Sequence, residues 1–147
     1  MIIKEVMSRN IVKVPSTITI AEAARLMDKK DIGSVLISED NEVVGIMTER
    51  DILRKAVAAG KKCEEAIVKD IMTSSLITID AEDSLEKANE VMSKHKIRRL
   101  IVTENDNIVG IITIRDVAEN LRYSSAKRLA GIVGSDYGRG SYEKQKY

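Results

Sequence analysis

The chain repeats itself at an interval of 65 residues. Met7, Ala23, Met27 and Ile32 recur as Met72, Ala88, Met92 and Ile97, and Gly45, Thr48, Arg50 and Asp51 recur as Gly110, Thr113, Arg115 and Asp116. No gap is needed over roughly 45 residues, and about a quarter of the aligned positions are identical. Most other pairs exchange one apolar residue for another. One copy is too short to bury a sufficient core alone. A tandem duplication therefore predicts two halves packed on each other about a pseudo-two-fold axis. We assign residues 1–60 to the first repeat, 61–66 to a connector, 67–123 to the second repeat and 124–147 to a C-terminal tail.

Each copy carries the same order of elements. Ile11-Val12-Lys13-Val14 and Leu76-Ile77-Thr78-Ile79 read as short extended pieces. Thr19 with Glu22 forms a capping-box pattern ahead of an apolar stripe at Ile20, Ala23, Ala24 and Met27. Ser84 opens the matching helix, with Lys87 in place of the box Glu. Ser34–Ile37 and Arg99–Val102 read as strands, and Glu39–Glu42 and Glu104–Asn107 as polar turns. Apolar strands then lead into helices expected over Glu49 to about Ala59, ended by Gly60, and over Ile114 to about Tyr123. The fold class is α+β: two β-α-β-β-α repeats packed sheet to sheet. In the tail, 126–133 has the composition of a short helix. Gly134 onward reads as disordered, with tyrosines suited to docking a partner.

Composition narrows the function. The formal net charge is +1, so no overall field favours nucleic acid or an acidic membrane. No apolar run reaches the length of a membrane span. The lone Cys63 excludes an internal disulfide, and Met1–Glu5 has no secretory character; both point to the cytoplasm. The only histidine, His95, sits between Lys94 and Lys96 at a helix end, as a solvated residue would. Cys63 has no histidine near it in sequence, no residue cluster has metal-ligand spacing, and phosphate-loop and dinucleotide fingerprints are missing. The chain reads as a binding protein, not an enzyme, with no cofactor and no metal.

Two stretches carry the candidate chemistry: Gly45-Ile46-Met47-Thr48-Glu49-Arg50-Asp51 and Gly110-Ile111-Ile112-Thr113-Ile114-Arg115-Asp116. Each is a strand turning directly into a helix, whose first N–H groups lack partners and attract anions. Thr48 with Asp51, and Thr113 with Asp116, could simply cap their helices. Alternatively the carboxylates could accept hydrogen bonds from a cis-diol, while the glycines admit close backbone approach.

These motifs, the openings Glu5-Val6-Met7-Ser8 and Asp70-Ile71-Met72-Thr73, and the β-α-β-β-α order resemble the CBS domain family over about residues 1–122. Two copies in tandem resemble a CBS pair, or Bateman module. The resemblance implies a regulatory module that binds AMP, ADP, ATP or S-adenosylmethionine in clefts between the repeats. It also implies a disc-like homodimer and an effector protein that the sequence does not identify.

Carried across residue by residue, the resemblance implies two clefts. In the first, Asp51 would hold ribose hydroxyls with Thr48 near ribose or phosphate. Ile77 would lie beside the adenine, Arg98 and Arg99 near the phosphates, and Arg115 would reach in. In the second, Asp116 and Thr113 take those roles, Val12 flanks the adenine, Gly33 and Ser34 stand where Arg98 and Arg99 stand in the first, and Arg50 reaches in. The first cleft is thus expected to prefer phosphorylated ligands. Two rivals remain. One is a nucleic-acid-binding module using Arg98, Arg99, Lys61, Lys62, Lys127 and Arg128, against which the near-zero net charge argues. The other is a purely structural dimerisation module.

Overall fold

A computed structural model describes residues 1–129. In the first half, β1 (Lys13–Pro15), α1 (Ile20–Lys30), β2 (Ser34–Glu39) and β3 (Glu42–Thr48) are followed by a helix. That helix starts as α2 (Glu49–Asp51) and continues as a π-helical stretch, Ile52–Val57. The second half repeats the order with β4 (Thr78–Asp80), α3 (Leu85–His95), β5 (Arg99–Glu104), β6 (Asn107–Thr113) and α4 (Ile114–Leu129).

The two sheets have one topology, β1-β2-β3 and β4-β5-β6, with a parallel first pair and an antiparallel second pair. The polar turns are two-residue hairpins. Asp40 and Asn41, like Asn105 and Asp106, have positive φ, the backbone that matches strand twist. Thr19 and Glu22 make the expected reciprocal box, at 3.1 and 2.9 Å. Ser84 accepts from the Lys87 N–H at 3.2 Å, and the Lys87 ammonium pairs with Asp83 instead of reaching back to the cap.

Strands buried on both faces account for the unbroken apolar runs. Val35 and Ile37 of β2 point into the first half's own core, while Leu36 points the other way. Leu100 and Val102 of β5 do the same in the second half, and Ile101 faces Leu36 across the interface. Ile111 completes this sheet-to-sheet contact, with Ile11, Val43, Ile46, Leu76 and Ile108 around it.

The halves also exchange their leading segments. A 3-10 turn at Ile3–Glu5 opens the first repeat, yet Ile3 and Met7 belong to the second half's core. Ser8 and Ile111 exchange backbone hydrogen bonds of 2.9 Å along the edge of β6. The matching turn Val68–Asp70 of the second repeat packs on the first half, placing Val68 and Ile71 in its core. Thr73 exchanges bonds of 2.8 and 3.0 Å with Ile46 of β3. Ion pairs follow the same symmetry: Lys69 holds Glu39 at 2.7 Å, and Lys4 holds Glu104. Gly45 and Gly110 take their meaning here. A Cβ on Gly45 would lie 2.5 Å from Met72 Sδ, and one on Gly110 2.8 Å from the Ser8 carbonyl oxygen. The close approach that these glycines permit is to the crossed segments.

Several element boundaries, and the course of one helix, differ from the sequence reading. β1 and β4 begin two residues later than Ile11 and Leu76, because Val12 and Ile77 use only their carbonyl oxygens, accepting from Leu36 and Ile101. The first motif's helix is mostly π-helical, with the Ala58 N–H reaching back to the Leu53 carbonyl at 2.9 Å. It ends at Val57, about two residues short of the expected Ala59, and a turn over 58–60 follows, with Gly60 at φ +73°. α4 runs past Tyr123 to Leu129. The expectations for 130–147, including the disordered run from Gly134, lie outside the described residues.

Candidate binding cleft between the repeats

Between the halves lies a cleft of about 340 Å³. Thr48, Arg50 and Asp51 reach it from the β3–α2 junction, Leu76 and Ile77 from the stretch before β4, and Arg98 and Arg99 from the start of β5. Its walls are thus apolar at Leu76, Ile77 and Ile101, cationic at the arginines, and acidic at Glu49 and Asp51.

The strand-to-helix turn fixes the Asp51 carboxylate. Asp51 Oδ2 accepts from the Thr48 backbone N–H at 2.9 Å and from the Thr48 hydroxyl at 3.1 Å. The Asp51 N–H donates to Thr48 Oγ1 at 3.3 Å. Asp116 and Thr113 repeat this arrangement at 2.8, 2.7 and 3.3 Å. The capping role is therefore real in both halves. It occupies Oδ2 in each, so Oδ1 carries any further interaction. On Asp51, Oδ1 faces the Lys55 ammonium at 3.0 Å. On Asp116, Oδ1 makes no hydrogen bond or ion pair among the described residues.

The guanidinium groups are distributed differently from expectation. Arg50, assigned from sequence to the second cleft, lines the first. Arg115, assigned to the first, turns outward to Glu119 at 2.9 Å. That carboxylate holds its guanidinium more firmly protonated than usual, mainly through the hydrogen bond. The physical reason is the four-residue spacing on α4, which places Glu119 on the same helix face. Arg50 has no such carboxylate: its fourth residue onward is Arg54. Arg50, Arg98 and Arg99 form no ion pair among the described residues.

The second set of candidates is less open. Val12 packs against the first half's core, and Ser34 is buried where β2 begins. Gly33 lies under Arg99: a Cβ there would meet the guanidinium at 2.6 Å. Arg99 thus lines the first cleft while its head rests on the residue that stands for Arg98 in the other half.

Lys96 and Lys55 escaped the sequence reading. Lys96 lines the cleft because it ends α3 in the left-handed conformation, φ 52°. Lys55 lies one turn beyond Asp51, and the position four residues past an acid was the available signal. His95 is exposed at the end of α3, and Cys63 is unpaired. Among the described residues no group of three or more His, Cys, Asp or Glu is placed to hold a metal, and no helix is long and apolar enough to cross a membrane.

Comparison with known proteins places this arrangement. The sequence profile of the CBS domain matches residues 3–58 and 68–123. A CBS domain-containing protein of Bacillus subtilis, YhcV, is 33% identical over 118 residues, covering 80% of this chain and 84% of its own length. An uncharacterized protein of Methanopyrus kandleri is 38% identical over 117 residues; the match takes in 78% of this chain but only 60% of that longer protein. Among solved structures, the CBS domain pair of protein MJ0100, in complex with 5′-methylthioadenosine and S-adenosyl-L-methionine, superposes with a TM-score of 0.73 at 30% identity. That match covers 84% of this chain and 98% of that one.

Proposed function

Since the chain belongs to the CBS domain family, with two copies in tandem, we propose that it is a regulatory module that binds an adenosine-type ligand in the cleft between its halves. One observation carries this reading: a single cleft gathers an apolar wall, a fixed carboxylate and three guanidinium groups without carboxylate partners. Leu76 and Ile77 would flank the adenine. Asp51 Oδ1 would accept from the ribose hydroxyls, with Thr48 beside it. Arg50, Arg98 and Arg99 would meet phosphate, which they bind bidentately and without losing charge. The methylthioadenosine and S-adenosylmethionine in the related pair support adenosyl chemistry.

Charge decides among the candidates AMP, ADP, ATP and S-adenosylmethionine. Three arginines and Lys96 outnumber Glu49 and Asp51 in the lining, so a cationic sulfonium is disfavoured there and each phosphate is attracted. The first cleft therefore favours a phosphorylated nucleotide. Around Thr113 and Asp116, with Val12, Gly33 and Ser34 opposite, phosphate finds less support, and Arg99 already covers Gly33. Binding would shift the relation of the halves by the ligand's differential affinity for the two states, and a homodimer interface or an effector protein would read the change.

A thermal-shift panel of AMP, ADP, ATP, S-adenosylmethionine and NADH tests this, because a ligand that binds only the folded chain raises its melting temperature. A rise with the adenine nucleotides, larger than with S-adenosylmethionine, is expected. No rise with any of the five would leave Thr48–Asp51 and Thr113–Asp116 as helix caps in a structural module.

A further inference from the structure

Lys55 makes three contacts, and they tie the Asp51 carboxylate to the crossed segment Ile71–Thr73. Its ammonium lies 3.0 Å from Asp51 Oδ1. It donates at 3.3 Å to the Ile71 carbonyl and at 3.3 Å to Thr73 Oγ1. An ammonium has three N–H donors and no acceptor, so one carboxylate and two neutral oxygens use its full capacity. Ile71 is buried in the first half's core, and Thr73 pairs with Ile46 along the edge of β3. Both Ile46 and Thr73 line the cleft. The second half lacks this device. Asn120 stands at the matching position and donates to its own helix, to the Asp116 backbone carbonyl at 2.8 Å, reaching neither the carboxylate nor the crossed segment.

We propose that Lys55 is a positioning residue of the first cleft. Its ammonium holds the Asp51 carboxylate against the crossed segment Ile71–Thr73, so that occupancy of the cleft is felt in that segment. Asp51 is nearly enclosed, its side chain 12% exposed, and Oδ2 is fixed by the Thr48 cap. Lys55 fixes the remaining oxygen, and one oxygen can accept from a lysine and from a hydroxyl together. A ligand that engages Oδ1 then stiffens the Asp51–Lys55–Thr73 link, and the segment that crosses between the halves becomes better ordered. The inference rests on the nucleotide reading of the cleft.

The test is calorimetric titration of AMP, with ATP in a parallel series, into the wild type and Lys55→Met, followed by amide hydrogen exchange at Thr73 with and without nucleotide. Lys55→Met keeps the stem and removes the charge and donors; Lys55→Gln serves if the methionine variant does not fold. Loss of a charge-assisted tie predicts affinity lower by about tenfold. Nucleotide should slow exchange at the Thr73 amide in the wild type and leave it unchanged in the variant. A lysine that only stabilised the fold would lower the melting temperature and leave both ligand effects intact. If the wild type binds and the variant binds equally, or if Thr73 is protected equally in both, the inference fails while the cleft reading stands. If the wild type binds neither nucleotide, both fail.

Discussion

Asp51 and Asp116 do two jobs with two oxygens. Oδ2 closes the helix start in each half, a role worth about 1 kcal/mol in comparable caps. Thr48→Ala removes the oxygen that receives the Asp51 N–H and is expected to destabilise the chain by about that amount. Chemical denaturation would read it. The glycines of the two motifs make a sharper prediction. Gly45→Ala brings a methyl against the Met72 side chain, with the nearest backbone oxygen, of Thr73, at 3.2 Å. Gly110→Ala brings one 2.8 Å from the Ser8 carbonyl oxygen. A thioether swings aside and a backbone strand does not. Gly110→Ala should therefore cost more, on the order of 1–3 kcal/mol, and Gly45→Ala less. Equal midpoints for the two variants would contradict this account of the crossing.

At the scale of elements, the crossed leading segments are held by matched ion pairs. The hydrogen bond from Lys69, with a second from Ser16, keeps Glu39 below the usual carboxylate range. Lys69 is raised in turn, chiefly by that hydrogen bond. Glu39 binds its proton less readily folded than unfolded. Its contribution to stability is complete above the unfolded pKa and fades as the pH falls through the lower, folded value. Urea midpoints of the wild type and Glu39→Gln should differ slightly at pH 7 and converge in acid below the ordinary carboxylate range; a gap that widens in acid would reverse the assignment. The elements themselves were legible because each declares its period: helix caps at Thr19 and Ser84, and apolar runs for doubly buried strands. The π-helical course of Ile52–Val57 was not legible, since side-chain periodicity does not distinguish a widened turn over so few residues. The outward turn of Arg115 was legible in its spacing to Glu119, but a reading that assigned each arginine by symmetry passed over it.

The whole molecule is less divisible than its repeat suggests. Val68 and Ile71, both almost fully buried in the first half, come from beyond residue 60. A fragment of residues 1–60 should therefore show no cooperative thermal transition by circular dichroism, although it holds a complete sequence repeat. A cooperative melt in that fragment would show that the crossed segments are dispensable. Duplication was visible in the 65-residue interval, and so was sheet-to-sheet packing. The exchange of Ile3–Met7 for Val68–Met72 was not, because each segment is equally apolar whichever core receives it. The same limit applies to the cleft: the motif spacing pointed to Asp51, Arg98 and Arg99, which line it, but not to Glu49, and the contact of Arg99 with Gly33 depends on how the halves meet. The measurement that bears most directly on the cleft is calorimetric titration of AMP into the wild type and Asp51→Ala. The account predicts saturable binding to the wild type and affinity reduced by about tenfold or more in the variant, from the loss of hydrogen bonds to a charged acceptor. Undiminished binding by a folded Asp51→Ala would contradict it.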